Sequence, residues 1–130
     1  SLWVNQGDGR FMLCKDAKID PPKLISSSVA IADINGDKLP DLIDLAYVEY
    51  NSQVFEKKGD VQQASVVDPL TFPAGQDQFW INRGDGSFTL TQNIWKGSRQ
   101  EGRGLGVVVT DFNGKPGNDV YISNDLTANN

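Results

Sequence analysis

The chain has 130 residues, with 12 Lys and Arg against 17 Asp and Glu, a formal charge of −5 and no histidine. An acidic balance argues against a nucleic-acid partner, which needs a basic face for its phosphates, and the lack of histidine removes the commonest general base and zinc ligand. One cysteine, Cys14, excludes an internal disulfide and reads as a small buried apolar residue, and no apolar run approaches the ~18 residues of a membrane-spanning helix.

Thirteen glycines, frequent Asn and Asp, and no long stretch of helix formers at helical period predict short strands and many turns. In chain order, Leu2, Trp3 and Val4 form a short apolar strand. Residues 5–9 (NQGDG) then supply the positive-φ residues of a tight hairpin, and residues 11–16 return as an alternating strand. Residues 15–25, with Pro21-Pro22, read as a loop. Residues 28–32 suit a buried inner strand, and 42–47 form another. A polar connection over 51–78 carries Asp68-Pro69 and the segment FPAG at 72–75, and a loop of that length is usually functional or disordered. Strands over 106–110 and 120–122 follow.

Two of these features recur. LWVNQGDGRF at 2–11 returns as FWINRGDGSF at 79–88, so that Trp3 matches Trp80 at an offset of 77. VAIADING at 29–36 returns as VVVTDFNG at 107–114, so that Asp33 matches Asp111 and Asp41 matches Asp119 at an offset of 78. Two motifs in one order at nearly one period mark an internal repeat. Repeat one covers about 2–78, repeat two about 79–130, and the long loop lies inside the first.

The chemistry concentrates between strands, in DINGDKLPD at 33–41. Oxygen-bearing side chains stand at loop positions 1, 3, 5 and 9. Asp33, Asn35, Asp37 and Asp41, with the Leu39 carbonyl, are the candidate ligands for one Ca2+, a hard ion that accepts irregular oxygen cages. Held close without an ion, the three carboxylates would repel one another, so binding would fold the loop and pin its flanking strands. The blander reading is a solvated turn, for which Asp, Asn and Gly are ordinary residues. An EF-hand is excluded, because its Gly and Glu positions here hold Lys38 and Asp44 and the flanks read as strands. The second loop, DFNGKPGND at 111–119, offers Asp111, Asn113, Gly117 and Asp119 as a weak or degenerate set. Lys115 replaces Asp37 there, and its ammonium is expected to pair with Asp111 or Asp119 in place of an ion.

Arg83-Gly84-Asp85 matches Gln6-Gly7-Asp8 of the first repeat, so it reads as a hairpin turn rather than an adhesive tripeptide. Trp3 and Trp80 share a repeat position and read as core; Trp95 and Tyr50 are the aromatics that remain to face a sugar.

FWINRGDGSF (79–88), VAIADINGDKLPDL (29–42), GRGLGVVVTDFNGKPGNDVYISNDLTANN (102–130) and FPAGQD (72–77) together resemble the FG-GAP/VCBS repeat family, the calcium-loop propellers related to the integrin α-subunit head, and within it the branch of cartilage acidic protein and UnbV-type proteins. The resemblance implies an all-β fold of about two blades of a seven-bladed β-propeller, with inter-strand calcium loops, outside the cytoplasm: extracellular, on the cell surface or periplasmic. It carries the ligand roles of Asp33, Asn35, Asp37, Leu39 and Asp41 in full, and those of Asp111, Asn113 and Asp119 in part. It fixes no reaction type.

The functional expectation is a non-catalytic binding, adhesion or scaffold module, with the 51–78 connection as its contact surface and a protein partner or neighbouring blades beside it. A carbohydrate-binding or carbohydrate-active propeller and a structural subunit of a surface assembly are the alternatives. The start at Ser1 predicts a mature or excised segment, and the stop at 124–130, where the next strand falls due, predicts truncation.

Overall fold

The computed structural model of the chain describes residues 1–20, 23–50, 68–91, 94 and 102–126. It is all-β, with three antiparallel sheets and, among the described residues, no α-helix. Strands β1 (Trp3–Asn5) and β2 (Phe11–Leu13) form a hairpin. Strands β3 (Leu24–Ala32), β4 (Asp41–Glu49), β5 (Gln78–Asn82) and β6 (Phe88–Thr91) form a four-stranded meander. Strands β7 (Gly104–Thr110) and β8 (Asp119–Asn124) form a second hairpin.

The repeat is out of phase with the sheets. The central meander takes β3 and β4 from the first copy of the repeat and β5 and β6 from the second. Its halves join where Leu42 faces Trp80, Ile43 faces Phe79 and Asp44 faces Gln78. The β7–β8 ladder reproduces the β3–β4 ladder: Thr110 faces Asp119 as Ala32 faces Asp41, and Val107 faces Ile122 as Val29 faces Asp44. A bulge breaks both ladders at matching places, between Ser26 and Ser28 and between Gly104 and Gly106.

One core unites the central sheet and the β7–β8 hairpin. Ile43, Leu45, Phe79 and Ile122 are buried in it, with Ala30, Ile34, Ile94, Val107, Val109 and Val120 packed around them. Strand alternation explains the set, because Ile43 and Leu45 share one face of β4 while Val107, Val109, Val120 and Ile122 share one face of the hairpin. The two layers meet closely at Gly104, where a Cβ would sit 3.0 Å from that of Leu45. Ser27 Oγ donates to the Gly104 carbonyl across the same contact.

Several expectations change. Strand β3 starts at Leu24 and is exposed on one face, with Val29 57% and Ile31 66% accessible, so it is not a buried inner strand. Trp80 is buried but its repeat partner Trp3 is 56% exposed. The reason is pairing: β5 lies between β4 and β6, whereas β1 has β2 alone beside it among the described residues. Cys14 is only half-buried, its Sγ directed at the Gly86 carbonyl at 3.9 Å. Residues 51–67 of the predicted long connection, Pro21-Pro22, Trp95 and residues 127–130 lie outside the described residues. The rest of the connection holds a short 3-10 turn, Pro69–Thr71, capped by Asp68, and an isolated bridge between Ala74 and Val48.

Candidate metal centre

The two acidic loops share two internal hydrogen bonds, from Gly36 to Asp33 and from Asp37 to Asn35 in the first and from Gly114 to Asp111 and from Lys115 to Asn113 in the second. In the first, Asp33 accepts the Gly36 and Lys38 N–H groups at 2.7 and 2.8 Å, Asn35 accepts that of Asp37 at 3.0 Å, and Asp37 accepts that of Leu39 at 2.8 Å. In the second, Asp111 accepts from Asn113 and Gly114, and Asn113 accepts from Lys115 at 2.9 Å. Short polar side chains therefore fold each loop by satisfying main-chain donors that no strand partner reaches. Burial works to raise the pKa of Asp33, but the main-chain N–H groups of Lys38, Gly36, Asp37 and Asn35 outweigh it and hold the carboxyl below its ordinary value.

Asp41 behaves differently from the other predicted ligands. It is fully buried at the start of β4, where one oxygen accepts the Ile34 N–H at 3.0 Å and the other accepts the Asn82 N–H at 2.9 Å. Asn82 in turn donates its side-chain amide to the Pro40 carbonyl at 3.0 Å. This carboxylate ties the loop to the β5–β6 hairpin. Its repeat partner Asp119 accepts the Phe112 N–H at 2.9 Å, but its second oxygen takes the side-chain amide of Asn113. The expected pairing of Lys115 with Asp111 or Asp119 is not found, whereas Arg10 does pair with Asp8.

The two loops touch. Asn118 donates its main-chain N–H and its side-chain amide to the Asp33 carbonyl, each at 2.8 Å. Gly36 and Gly117 pack backbone to backbone, and a Cβ on Gly117 would lie 3.0 Å from the Ile34 oxygen. Gly117, expected as a degenerate ligand, is also where the two loops approach each other.

In kind, the donors of the first loop suit Ca2+. Asp33, Asn35, Asp37 and the Leu39 carbonyl are hard oxygens, and an oxygen that accepts one N–H keeps a further lone pair. In placement, the described residues hold no group of three carboxylates within reach of one ion. Asp37 instead accepts the Asn35 side-chain amide at 2.9 Å.

The predicted hairpin turns are found in matching form. Gly84 takes φ 77° and donates to the Asn82 side chain at 2.9 Å, as Gly7 takes φ 88° and donates to Asn5 at 2.8 Å. Arg83-Gly84-Asp85 is therefore the hairpin turn of the repeat.

A second polar cluster had no recognisable motif. Arg103 is buried and donates to the Phe72 carbonyl at 2.8 Å, Asp77 is buried and accepts the Ala46 N–H at 3.0 Å, and the Tyr47 hydroxyl donates to Asp125 at 2.7 Å. That bond to Asp125 is the main reason the Tyr47 phenol titrates above its ordinary value, with burial adding to it. These residues are 22 to 78 positions apart, and their only sequence signal is a charge set against an apolar strand. On β4, Asp44 accepts from Ser26 Oγ at 3.1 Å, but its Oδ1 is buried without a partner, as is Oε1 of the facing Gln78. Burial pushes the Asp44 carboxyl above its ordinary value.

No family model, curated protein or solved structure matches this chain.

Proposed function

We propose that the chain is a calcium-stabilised segment of an extracytoplasmic β-propeller of the FG-GAP/VCBS type, acting as a non-catalytic binding or scaffold module. One observation carries the reading: a four-stranded antiparallel meander whose β3–β4 half recurs, with register and bulge, in a second sheet stacked on it. Repetition of one such unit about an axis is how propellers bury sheet faces that a single sheet leaves open. The acidic loops support the calcium part, because both fall at the same turn, before β4 and before β8, and their donors are hard oxygens.

In this reading Ca2+ draws Asp33, Asn35, Asp37 and the Leu39 carbonyl together and displaces the Asn35–Asp37 bond, while Asp41 holds the loop to the sheet. The ion is structural and supplies rigidity to the edge of the sheet. Lys115 leaves the second loop a weak competitor. The recognition surface would include the connection between β4 and β5, whose residues 68–77 run beside the end of β4.

Calorimetric titration of Ca2+ into chelator-treated protein tests this. One site per chain, a raised melting temperature, and loss of both in Asp37→Ala are expected. Absence of binding and of stabilisation would overturn the calcium-propeller reading.

A further inference from the structure

The Asp33 carbonyl accepts two donors from one residue of the other loop, the main-chain N–H and the side-chain amide of Asn118, each at 2.8 Å. Asn118 lies 85 positions further on, in the second copy of the repeat. Its counterpart in the first loop, at the offset of 78, is Pro40, which has neither donor. The double bond to a neighbouring loop is therefore peculiar to Asn118 and not a property of the repeat.

The peptide between Asp33 and Ile34 is held at both ends. Asn118 holds its carbonyl. Its N–H, on Ile34, donates to Asp41 at 3.0 Å, and Asp41 is fixed in turn by the Asn82 N–H at 2.9 Å. A peptide unit is a rigid plane, so fixing both ends sets where the Asp33 side chain is presented. The carbonyl oxygen has two lone pairs, and Asn118 takes both. Asp33 is thus left to meet an ion through its carboxylate, whose oxygens accept the Gly36 and Lys38 N–H groups at 2.7 and 2.8 Å. The loops come this close because glycine backbone meets backbone: a Cβ on Gly36 would sit 3.2 Å from Pro116 and from the Gly117 nitrogen.

We infer that Asn118 is the positioning residue of the first loop's Ca2+ site, so that the second loop pre-orders the first and the bound ion in turn locks the β7–β8 hairpin to the central sheet. The inference rests on the calcium part of the proposed function and concerns its regulation. Among the described residues no three carboxylates already stand together around one point, so the donors of the first loop must be drawn in by the ion. Ordering them lowers affinity, and a loop whose first ligand is already fixed has less to order. Residues that orient a metal ligand without touching the metal typically change affinity by roughly 10–100-fold. The coupling is reciprocal: whatever docking of the second loop adds to Ca2+ affinity, Ca2+ adds to the docking. The ion then acts as a clasp between two sheets as well as a brace within one loop.

Calorimetry on the chelator-treated chain tests the assignment. Asn118→Ala is expected to bind Ca2+ roughly tenfold more weakly, with the number of sites unchanged. Ser27→Ala separates positioning from general loss of stability. Ser27 Oγ joins the same two layers at the Gly104 carbonyl, at the end of β7 away from the loops. Its removal should lower the melting temperature of the ion-free chain and leave Ca2+ affinity as it is. Hydrogen exchange reads the reciprocal effect: Ca2+ should slow exchange of the Asn118 N–H in the unsubstituted chain. That measurement needs no substitution, so it decides the matter even if Asn118→Ala fails to fold. Equal affinity in Asn118→Ala and the unsubstituted chain, an equal loss of affinity in Ser27→Ala, or Asn118 exchange indifferent to bound Ca2+ would overturn this inference alone. An unsubstituted chain that binds no Ca2+ would overturn the calcium-propeller reading and this inference with it.

Discussion

The Asp41 carboxylate accepts the main-chain N–H of Asn82 at 2.9 Å, across 41 positions of sequence, while its other oxygen holds the Ile34 N–H at 3.0 Å. A fully buried acid is thereby the joint between an acidic loop and a hairpin that belong to different copies of the repeat. Carboxylates bound to main-chain donors make some of the stronger hydrogen bonds in proteins, and both donors would be stranded without this one.

Asp41→Ala should therefore destabilise the chain by on the order of 2–4 kcal/mol, the sum for two part-buried donors left without acceptors. Asp41→Asn keeps one carbonyl oxygen and should fall between Asp41→Ala and the unsubstituted chain. Urea unfolding followed by tryptophan fluorescence measures both. A midpoint for Asp41→Ala equal to that of the unsubstituted protein would contradict the role assigned to Asp41.

Gly117 and Gly114 separate backbone strain from loop contact. Both take left-handed φ, 88° and 70°, but only Gly117 has neighbours where a Cβ would go, the Ile34 oxygen at 3.0 Å among them. Each alanine substitution should cost about 1–2 kcal/mol for the left-handed backbone. Gly117→Ala should cost more, because it also parts the loops and weakens the bonds from Asn118 to Asp33. Equal melting temperatures for the two variants would show that the loop contact contributes little.

Asp44 gives a pH signature. Its folded-state pKa is raised, chiefly by burial and against the Ser26 hydrogen bond. A raised acid binds its proton more readily folded than unfolded, so its contribution is favourable below the unfolded value near ~3.9 and is lost as pH rises through the folded value. Above the unfolded value the buried, incompletely paired Asp44 is therefore a net cost. Asp44→Asn should raise the melting temperature at pH 7 and give no gain at pH 3. A variant that loses stability at pH 7 would show that the carboxylate is paired there.

Lys115→Asp tests why the two loops should differ. If loop position 5 decides ion binding, this change restores the oxygen that Asp37 supplies in the first loop. Calorimetry should then count two Ca2+ sites per chain in place of one. A second loop that stays silent would place the defect in the scaffold around Asp111 and Asn113 instead.

Much of the local structure was legible in the residues. The turns at 5–9 and 82–87 need glycine where φ is positive, and the paired offsets of 77 and 78 reveal the repeat before any strand is placed. The hairpin role of Arg83-Gly84-Asp85 followed from its counterpart at 6–8. The double role of Asp41 was not legible, because a loop acid looks the same whether it faces an ion or a main-chain N–H. The exposure of Trp3 beside the burial of Trp80 was hidden for a similar reason.

Strand period, turn chemistry and the repeat are short-range properties, set by backbone sterics and by side chains a few positions apart, and spacing alone is enough to determine them. Which hairpins share a sheet, which face of β3 stays open, and that Arg103, Asp77 and the Tyr47–Asp125 pair gather beside the end of β4 are long-range matters. They depend on which edge finds a partner and which apolar face finds a cover, and only the folded chain decides that.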